Sequence, residues 1–320
     1  MRSADPAAGR AIDCVRPILK WAGGKRQLLP ALRRYYPGRF TRYLEPFLGS
    51  AAVFLDCHNH GLLEGRAVRL SDINADVIGC YRMVRDAVDE VIEYLIALEA
   101  GHRETGSRHF YEVRDSRFNP IRSGLARGAD GSMEYTPALA AMLIYLNRTG
   151  YNGLFRVNSR GAFNVPAGRY GKVRICDADN LRRLSKALAA PNVTLEVALF
   201  EDALADGAAG DFVYLDPPYA PLSRTAQFTS YTAGGFNAEQ QLRLQQVVID
   251  LAGRGVHVLL SNSVAPEIRR LYKNSADVRS AGLKARTVQA RRAINSRASG
   301  RGVVEEYLIT NVRSRADRLN

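Results

Sequence analysis

The chain has 320 residues, 46% hydrophobic and 24% charged, and its 45 Lys plus Arg against 32 Asp plus Glu leave a net charge of +13. That length suits about two domains, or one large domain with an insertion, and buries a sizeable core without covalent staples. No apolar run nears the ~20 residues of a membrane span. The first fifteen residues have no apolar core of the signal-peptide type. Cys14, Cys57, Cys80 and Cys176 are widely spaced, which argues against a zinc site or a disulfide framework and for free thiols in a reducing cytoplasm. The excess charge is concentrated. Residues 148–174 carry six basic and no acidic residues, and residues 279–320 carry ten basic and three acidic ones, so these two segments hold the whole +13. Such a layout suits a polyanion-binding surface, or else a solvated basic face that only aids solubility.

In chain order, residues 1–15 are small, polar and unpatterned, and a disordered leader is expected. Residues 40–45 read as a strand ended by Pro46 and a turn at Gly49. A helix follows over Ser50–His60, then a strand over 66–71. Apolar residues at helical spacing (Val77, Ile78, Tyr81, Val84, Val88, Val91, Ile92, Leu95) predict one helix over 74–98. This β-α-β-α opening is the pattern of a parallel sheet with crossover helices. Residues 101–135 are polar and rich in Arg and Gly, with little strand pattern. A helix is predicted from Pro137, which fits a first turn, to Arg148. A Gly/Asn/Arg/aromatic stretch runs on to about 174. Alternation resumes with a helix at 178–190, strands at 193–199 and 211–216, a helix at 237–253, a strand at 256–261 and a hairpin of 286–294 with 303–310. Residues near 100–175 are therefore inserted into one α/β domain built from both ends of the chain.

Four motifs carry chemistry. In Asp211–Tyr219 an apolar strand runs straight into Asp216-Pro217-Pro218-Tyr219. Ligands bind at the carboxyl ends of parallel strands. Two prolines remove two N–H donors, leaving carbonyls beside a carboxylate and an aromatic ring. That set suits an exocyclic amino group on a flat ring; the plain alternative is a strand-ending turn. Near the start, Lys20-Trp21-Ala22-Gly23-Gly24-Lys25 holds the only Trp, and its two glycines permit close approach to a ligand. It lacks the spacing of a phosphate-binding P-loop, and a surface turn would read the same way. Tyr43–Ser50 is a strand leading to a Gly turn. Asp72, 23 residues after Gly49, stands where dinucleotide folds place a ribose-binding acid, and equally where a helix N-cap belongs. Last, Asn147–Asn158 and Phe163–Tyr170 interleave aromatics with Arg and Asn. Arg reads guanine, Asn reads adenine, and an aromatic can wedge into a base stack. A glycine-rich hairpin with solvated arginines is the alternative.

The four motifs occur together in one order, and over residues 17 to 310 the chain resembles the DNA adenine methylase (Dam) family of N6-adenine DNA methyltransferases. Support comes also from Asp216–Leu222 followed by Thr225–Tyr231, and from Arg291-Arg292-Ala293-Ile294 before a Ser/Gly/Arg turn. The resemblance implies an α/β fold: a Rossmann-like S-adenosylmethionine-dependent methyltransferase sheet with an inserted, mainly helical target-recognition domain. The expected units are a leader at 1–15, a catalytic domain at 16–98 and 176–320, and a recognition domain at 99–175. By resemblance, Asp216, Pro217, Pro218 and Tyr219 are the catalytic segment and hold a flipped adenine. Trp21, Lys25, Asp72 and Asp216 line the S-adenosylmethionine pocket, with Glu45, Phe47 and Gly49 as the turn against it. Lys20, Tyr151, Asn152, Leu154, Arg156 and Pro166 face the recognition sequence, Tyr151 as the wedge, and Arg169 holds phosphate. The family's usual target is GATC.

The implied chemistry is in-line attack of the adenine amino group on the sulfonium methyl, giving S-adenosylhomocysteine with no metal. Double-stranded DNA is the expected partner, with no membrane. The expected form is a monomer, cytoplasmic and nucleoid-associated. The C-terminal charge is expected to flank the DNA cleft. Two positions depart from the family pattern: the first-strand turn lacks a second glycine, and Thr149 stands for an aromatic. A methyltransferase for cytosine N4, RNA or a protein glutamine would often show Ser or Asn at 216. A catalytically dead DNA-binding module should have lost the tetrapeptide or the Trp21–Lys25 segment.

Overall fold

The computed structural model describes residues 14–21, 25–171, 173–219, 236–291 and 303–314. Seven strands form one sheet: β1 (Arg42–Glu45), β2 (Ala67–Asp72), β3 (Val193–Val197), β4 (Phe212–Leu215), β5 (His257–Ser263), β6 (Lys284–Arg291) and β7 (Val303–Thr310). Their order is β3-β2-β1-β4-β5-β7-β6. β1 to β5 are parallel, and β7 runs antiparallel between β5 and β6. The chain steps outward from β1 to β3 and then returns to β4. This is a Rossmann-like arrangement, with its topological switch point between β1 and β4.

The sheet is covered on both faces, so its central strand β4 is apolar throughout. All four residues of β4, Phe-Val-Tyr-Leu, are buried. Successive side chains of a strand point to opposite faces. Accordingly Phe212 and Tyr214 join the apolar cluster on one face, and Val213 and Leu215 the cluster on the other.

The helices after β2 follow the expected mainly helical insert, with two details that the residue patterns did not give. The predicted helix over 74–98 is two helices, Ala75–Asp86 and Val88–Thr105, broken at Ala87 (φ −141°, ψ 45°). The second crosses the expected domain boundary at 98. Residues 101–135, polar in sequence, contain more helix: Ser107–Glu112, a wide turn over Val113–Phe118, and Asn119–Ser123. Phe110, Val113 and Phe118 anchor it, each fully buried. Helix Pro137–Thr149 packs on the Ala75–Asp86 and Val88–Thr105 helices and buries every residue from Leu139 to Asn147. A buried ion pair ties the segment down. Arg122 Nε and Nη2 donate to the Asp76 carboxylate at 2.6 and 2.7 Å, and Tyr135 Oη adds a third bond at 3.0 Å.

Val15, expected within the leader, is instead buried, and its backbone N–H and carbonyl both bond the Asn59 amide at 2.9 Å. Residues 1–13, Ala22-Gly23-Gly24, Lys172, the 220–222 and Thr225–Tyr231 stretches and Arg292-Ala293-Ile294 lie outside the described residues. No helix among the described residues is long and apolar enough to cross a membrane.

Candidate active site

The carboxyl ends of β1, β2, β4 and β5 bring Glu45–Gly49, Asp72, Asp216–Tyr219 and Ser261–Ser263 to one edge. At β1 the turn closes on Asp72, whose Oδ2 accepts the Gly49 N–H at 2.9 Å. Gly49 has φ +45°, and a Cβ there would lie 2.8 Å from the Trp21 ring, so a side chain would strain the turn and force the indole to shift. Trp21 in turn stacks on Phe155, with centroids 6.0 Å apart. The turn, the N-terminal strap and the Arg-rich loop thus meet at one indole. Phe47 packs elsewhere, against Phe200 and Phe236 at 5.5 and 5.8 Å.

Asp72 is not the N-cap of the following helix. Asn74 holds that place, accepting the Asp76 N–H at 3.0 Å, while Asp72 Oδ1 accepts the Asn74 N–H. Burial pushes the Asp72 carboxyl up to about 6, against the pull of those two backbone N–H groups. Two buried polar atoms of neighbouring residues, Ser71 Oγ on the opposite face of β2 and Asn74 Nδ2, have no partner among the described residues. Orphaned polar atoms at a strand's carboxyl end fit a hydroxyl-bearing ligand such as a nucleoside. Glu45 is committed differently: its Oε2 accepts Tyr43 Oη at 2.7 Å and the Phe54 N–H at 2.9 Å. Burial raises its carboxyl to about 8.

At β4 the Asp216 carboxylate pairs with Lys25 Nζ at 2.8 Å and accepts Ser261 Oγ at 3.1 Å, both on Oδ1. Its side chain keeps 21% of its surface open, enough for a ligand to reach it. Burial raises the Asp216 carboxyl above the ordinary range; Lys25 acts against that shift and Glu306 with it. Lys25 Nζ also lies 4.4 Å over the Tyr219 ring. Tyr219 Oη donates to Glu306 Oε2 at 2.6 Å. Of the two proline carbonyls expected to be free acceptors, that of Pro218 is taken by Gln241 Nε2 at 3.1 Å, and Asn262 holds Gln241 in turn. Ser261, Glu306, Gln241 and Asn262 are thus parts of the site that sequence reasoning missed. Three polar residues, Ser261-Asn262-Ser263, ending the apolar run of β5 were the available clue.

The Arg-rich segment is built on hairpin turns, with bridges between Gly150 and Ala167 and between Val157 and Phe163. Asn147 joins it to the N-terminal strap: its amide bonds both the N–H and the C=O of Lys20 and the C=O of Gly153. Lys20 Nζ donates to the Arg148 carbonyl at 2.9 Å and lies over the Tyr170 ring. Burial, then the Arg148 charge, lowers its pKa. Arg156 Nε donates to Asn164 Oδ1 at 2.8 Å. Tyr151, Pro166 and Arg169 are exposed, Leu154 is half-buried, and Asn152 takes a left-handed conformation (φ 55°). Of the C-terminal basic residues, Lys284 and Arg286 line an open cavity of about 390 Å³ with Lys273 and Arg279. They stand on the half of β6 away from the Glu306 pairing, not beside Asp216.

Comparison with known proteins identifies the family. The family described as D12 class N6 adenine-specific DNA methyltransferase matches residues 21–294. The chain is 36% identical to the type II methyltransferase M1.LlaDCHI of Lactococcus lactis subsp. cremoris over 300 residues, covering 93% of this chain and 95% of that protein. It is 38% identical to the type II methyltransferase M.MjaIII of Methanocaldococcus jannaschii over 310 residues, covering 93% and 99%. It is 35% identical to the DNA adenine methylase of Escherichia coli K12 over 293 residues, covering 92% and 94%. The chain belongs to the D12 class of N6 adenine-specific DNA methyltransferases.

Proposed function

We propose that the enzyme transfers a methyl group from S-adenosylmethionine to N6 of an adenine swung out of duplex DNA, with GATC as its target. The observation that carries this reading is the Asp216 carboxylate at the switch point, partly open and flanked by Lys25 and Tyr219. An adenine amino group is a poor nucleophile because its lone pair is delocalised into the ring. Asp216 and the Pro217 carbonyl accept its two hydrogens and so favour a pyramidal nitrogen with a localised lone pair. Both contacts on Asp216 use Oδ1, and Oδ2 is the acceptor proposed for the amino group. Pro218 stiffens the segment, and Tyr219 stacks on the base, offsetting part of the few kcal/mol that unstacking costs.

S-adenosylmethionine supplies an electrophilic methyl group when bound. Trp21, Lys25, Asp72 and Asp216 would hold it, with Glu45, Phe47 and Gly49 shaping the turn. The orphaned Asn74 side chain, two residues on, supports a hydroxyl-bearing group beside Asp72. Residues 99–175 serve as the recognition domain: Tyr151, Asn152, Leu154, Arg156 and Pro166, joined by Lys20 from the N-terminal motif, face the target sequence, Tyr151 wedges into the duplex, and Arg169 holds a phosphate. The enzyme acts as a monomer in the cytoplasm, on nucleoid DNA.

The test is to incubate protein, S-adenosylmethionine and plasmid, then digest with GATC-cutting enzymes that differ in sensitivity to adenine methylation. Protection from the blocked enzyme only is expected. Methyl incorporation without that protection would overturn the GATC target, and no incorporation would overturn the cofactor assignment. A 2-aminopurine at the target position should brighten on binding if the base leaves the stack; unchanged fluorescence would argue against flipping.

A further inference from the structure

We propose that Glu306 is a positioning residue: it holds the far end of the Tyr219 ring and so sets where the target base stacks. This rests on the reading of Asp216–Tyr219 as the adenine-holding segment. Tyr219 leaves β4 after two prolines, which stiffen its backbone but leave the direction of its side chain open. Something must hold the hydroxyl end. β7 supplies it, because its antiparallel insertion beside β5 carries Glu306, at the Ser263 pairing, to the active edge. Glu306 is 7% exposed and accepts the Tyr219 hydroxyl at 2.6 Å. A phenol-to-carboxyl oxygen bond of that length is at the short end of the O–H···O range. Burial, with the negative charges of Asp216 and Glu306, pushes the phenol far above its ordinary range, so it stays protonated and donates. Lys25 lies over the ring face while paired with Asp216. The hydroxyl tie fixes where the ring points, and Lys25 lies against its plane. A carboxylate buried near a second carboxylate is a costly way to fill space, and its use here is the bond to Tyr219.

The experiment is a cycle of Glu306→Ala, Glu306→Gln, Tyr219→Phe and the double variants, each assayed by methyl transfer to a GATC duplex. Glu306→Ala should lower kcat/KM for DNA about ten- to a hundredfold, with cofactor binding unchanged. Glu306→Gln keeps an acceptor oxygen and should recover most of that loss. In the Tyr219→Phe background, neither substitution at 306 should cost more. Full additivity of the two positions, or equal loss in the Gln and Ala variants, would overturn the proposal. If Glu306→Ala does not fold, Tyr219→Phe, which keeps the ring and removes only the same bond, should show the same ten- to hundredfold loss, and full activity in that variant would overturn the proposal. An Asp216→Ala enzyme that still methylates would remove the underlying reading, whereas additivity with an inactive Asp216→Ala enzyme removes only the role of Glu306.

Discussion

The catalytic edge and the Arg-rich segment hold their charges in opposite ways. At the edge, charge is balanced by charge: Lys25 pairs with Asp216 in a largely buried setting. In and beside the segment, neutral groups hold the cations nearest the hairpin turns, Arg156 by the Asn164 amide and Lys20 by a backbone carbonyl, while Arg174 at its end pairs with Asp177. A site that does chemistry needs fixed dipoles in a low dielectric, where they act strongly and need not reorganise. A site that reads a polyanion needs cations without carboxylate partners, so that phosphates and bases can claim them. Breaking the first arrangement should stop the reaction, and breaking the second should change where it occurs.

The largest effect expected is at the edge. Asp216→Ala should abolish methylation, followed with labelled S-adenosylmethionine, while circular dichroism shows an intact fold. Next comes salt. If the segment makes six or more phosphate contacts, duplex affinity should fall roughly a thousandfold between 50 and 200 mM salt. Cofactor affinity under the same titration should barely move, and a parallel fall in both would erase the contrast. Arg122→Ala leaves Asp76 buried and unpaired, and urea unfolding should register a loss of about 3–5 kcal/mol. A loss below ~1 kcal/mol would mean the inserted segment does not depend on that pair.

A smaller effect belongs to Arg156. Its replacement by Ala should relax discrimination at one base pair by about 1–3 kcal/mol, scored on duplexes with single changes in the target. Retained preference would separate Arg156 from recognition. The last effect is read against pH and concerns Glu45. Its carboxyl is raised by burial from 4.5 to about 8, so the folded state favours the protonated form. That contribution is complete below the ordinary carboxylate range and is lost as pH climbs to about 8. Glu45→Gln stays neutral, so its melting temperature should fall less over that interval than the parent's. Parallel melting curves would mean that Glu45 is ionised throughout.

Much of the edge was legible in the residues. An apolar strand followed by Asp-Pro-Pro-Tyr reports its own end, and Gly49 followed at the right interval by Asp72 reports a strand turn and an acid. The parallel order was implied by alternating strands and helices. The helices of 101–135 were expected from the family resemblance but not legible in the residue pattern, because few apolar residues (Phe110, Val113 and Phe118 among them) carry their burial among many polar ones. The N-cap after β2 was ambiguous, since Asp72 and Asn74 both suit it; only the hydrogen bonds distinguish them.

Sequence by itself determined the local events: which runs are strands, where they stop, which loop is basic and which tetrapeptide carries the acid. Those follow from side-chain periodicity and from backbone limits at Pro and Gly, which act within a few residues. Tertiary structure alone decided the pairings. Lys25 reaches Asp216, Glu306 reaches Tyr219, and Asn147 joins Lys20 to Gly153. Each depends on which elements become neighbours. Strand order, above all β7 lying between β5 and β6, is set by packing across the whole sheet and leaves no trace in any one segment.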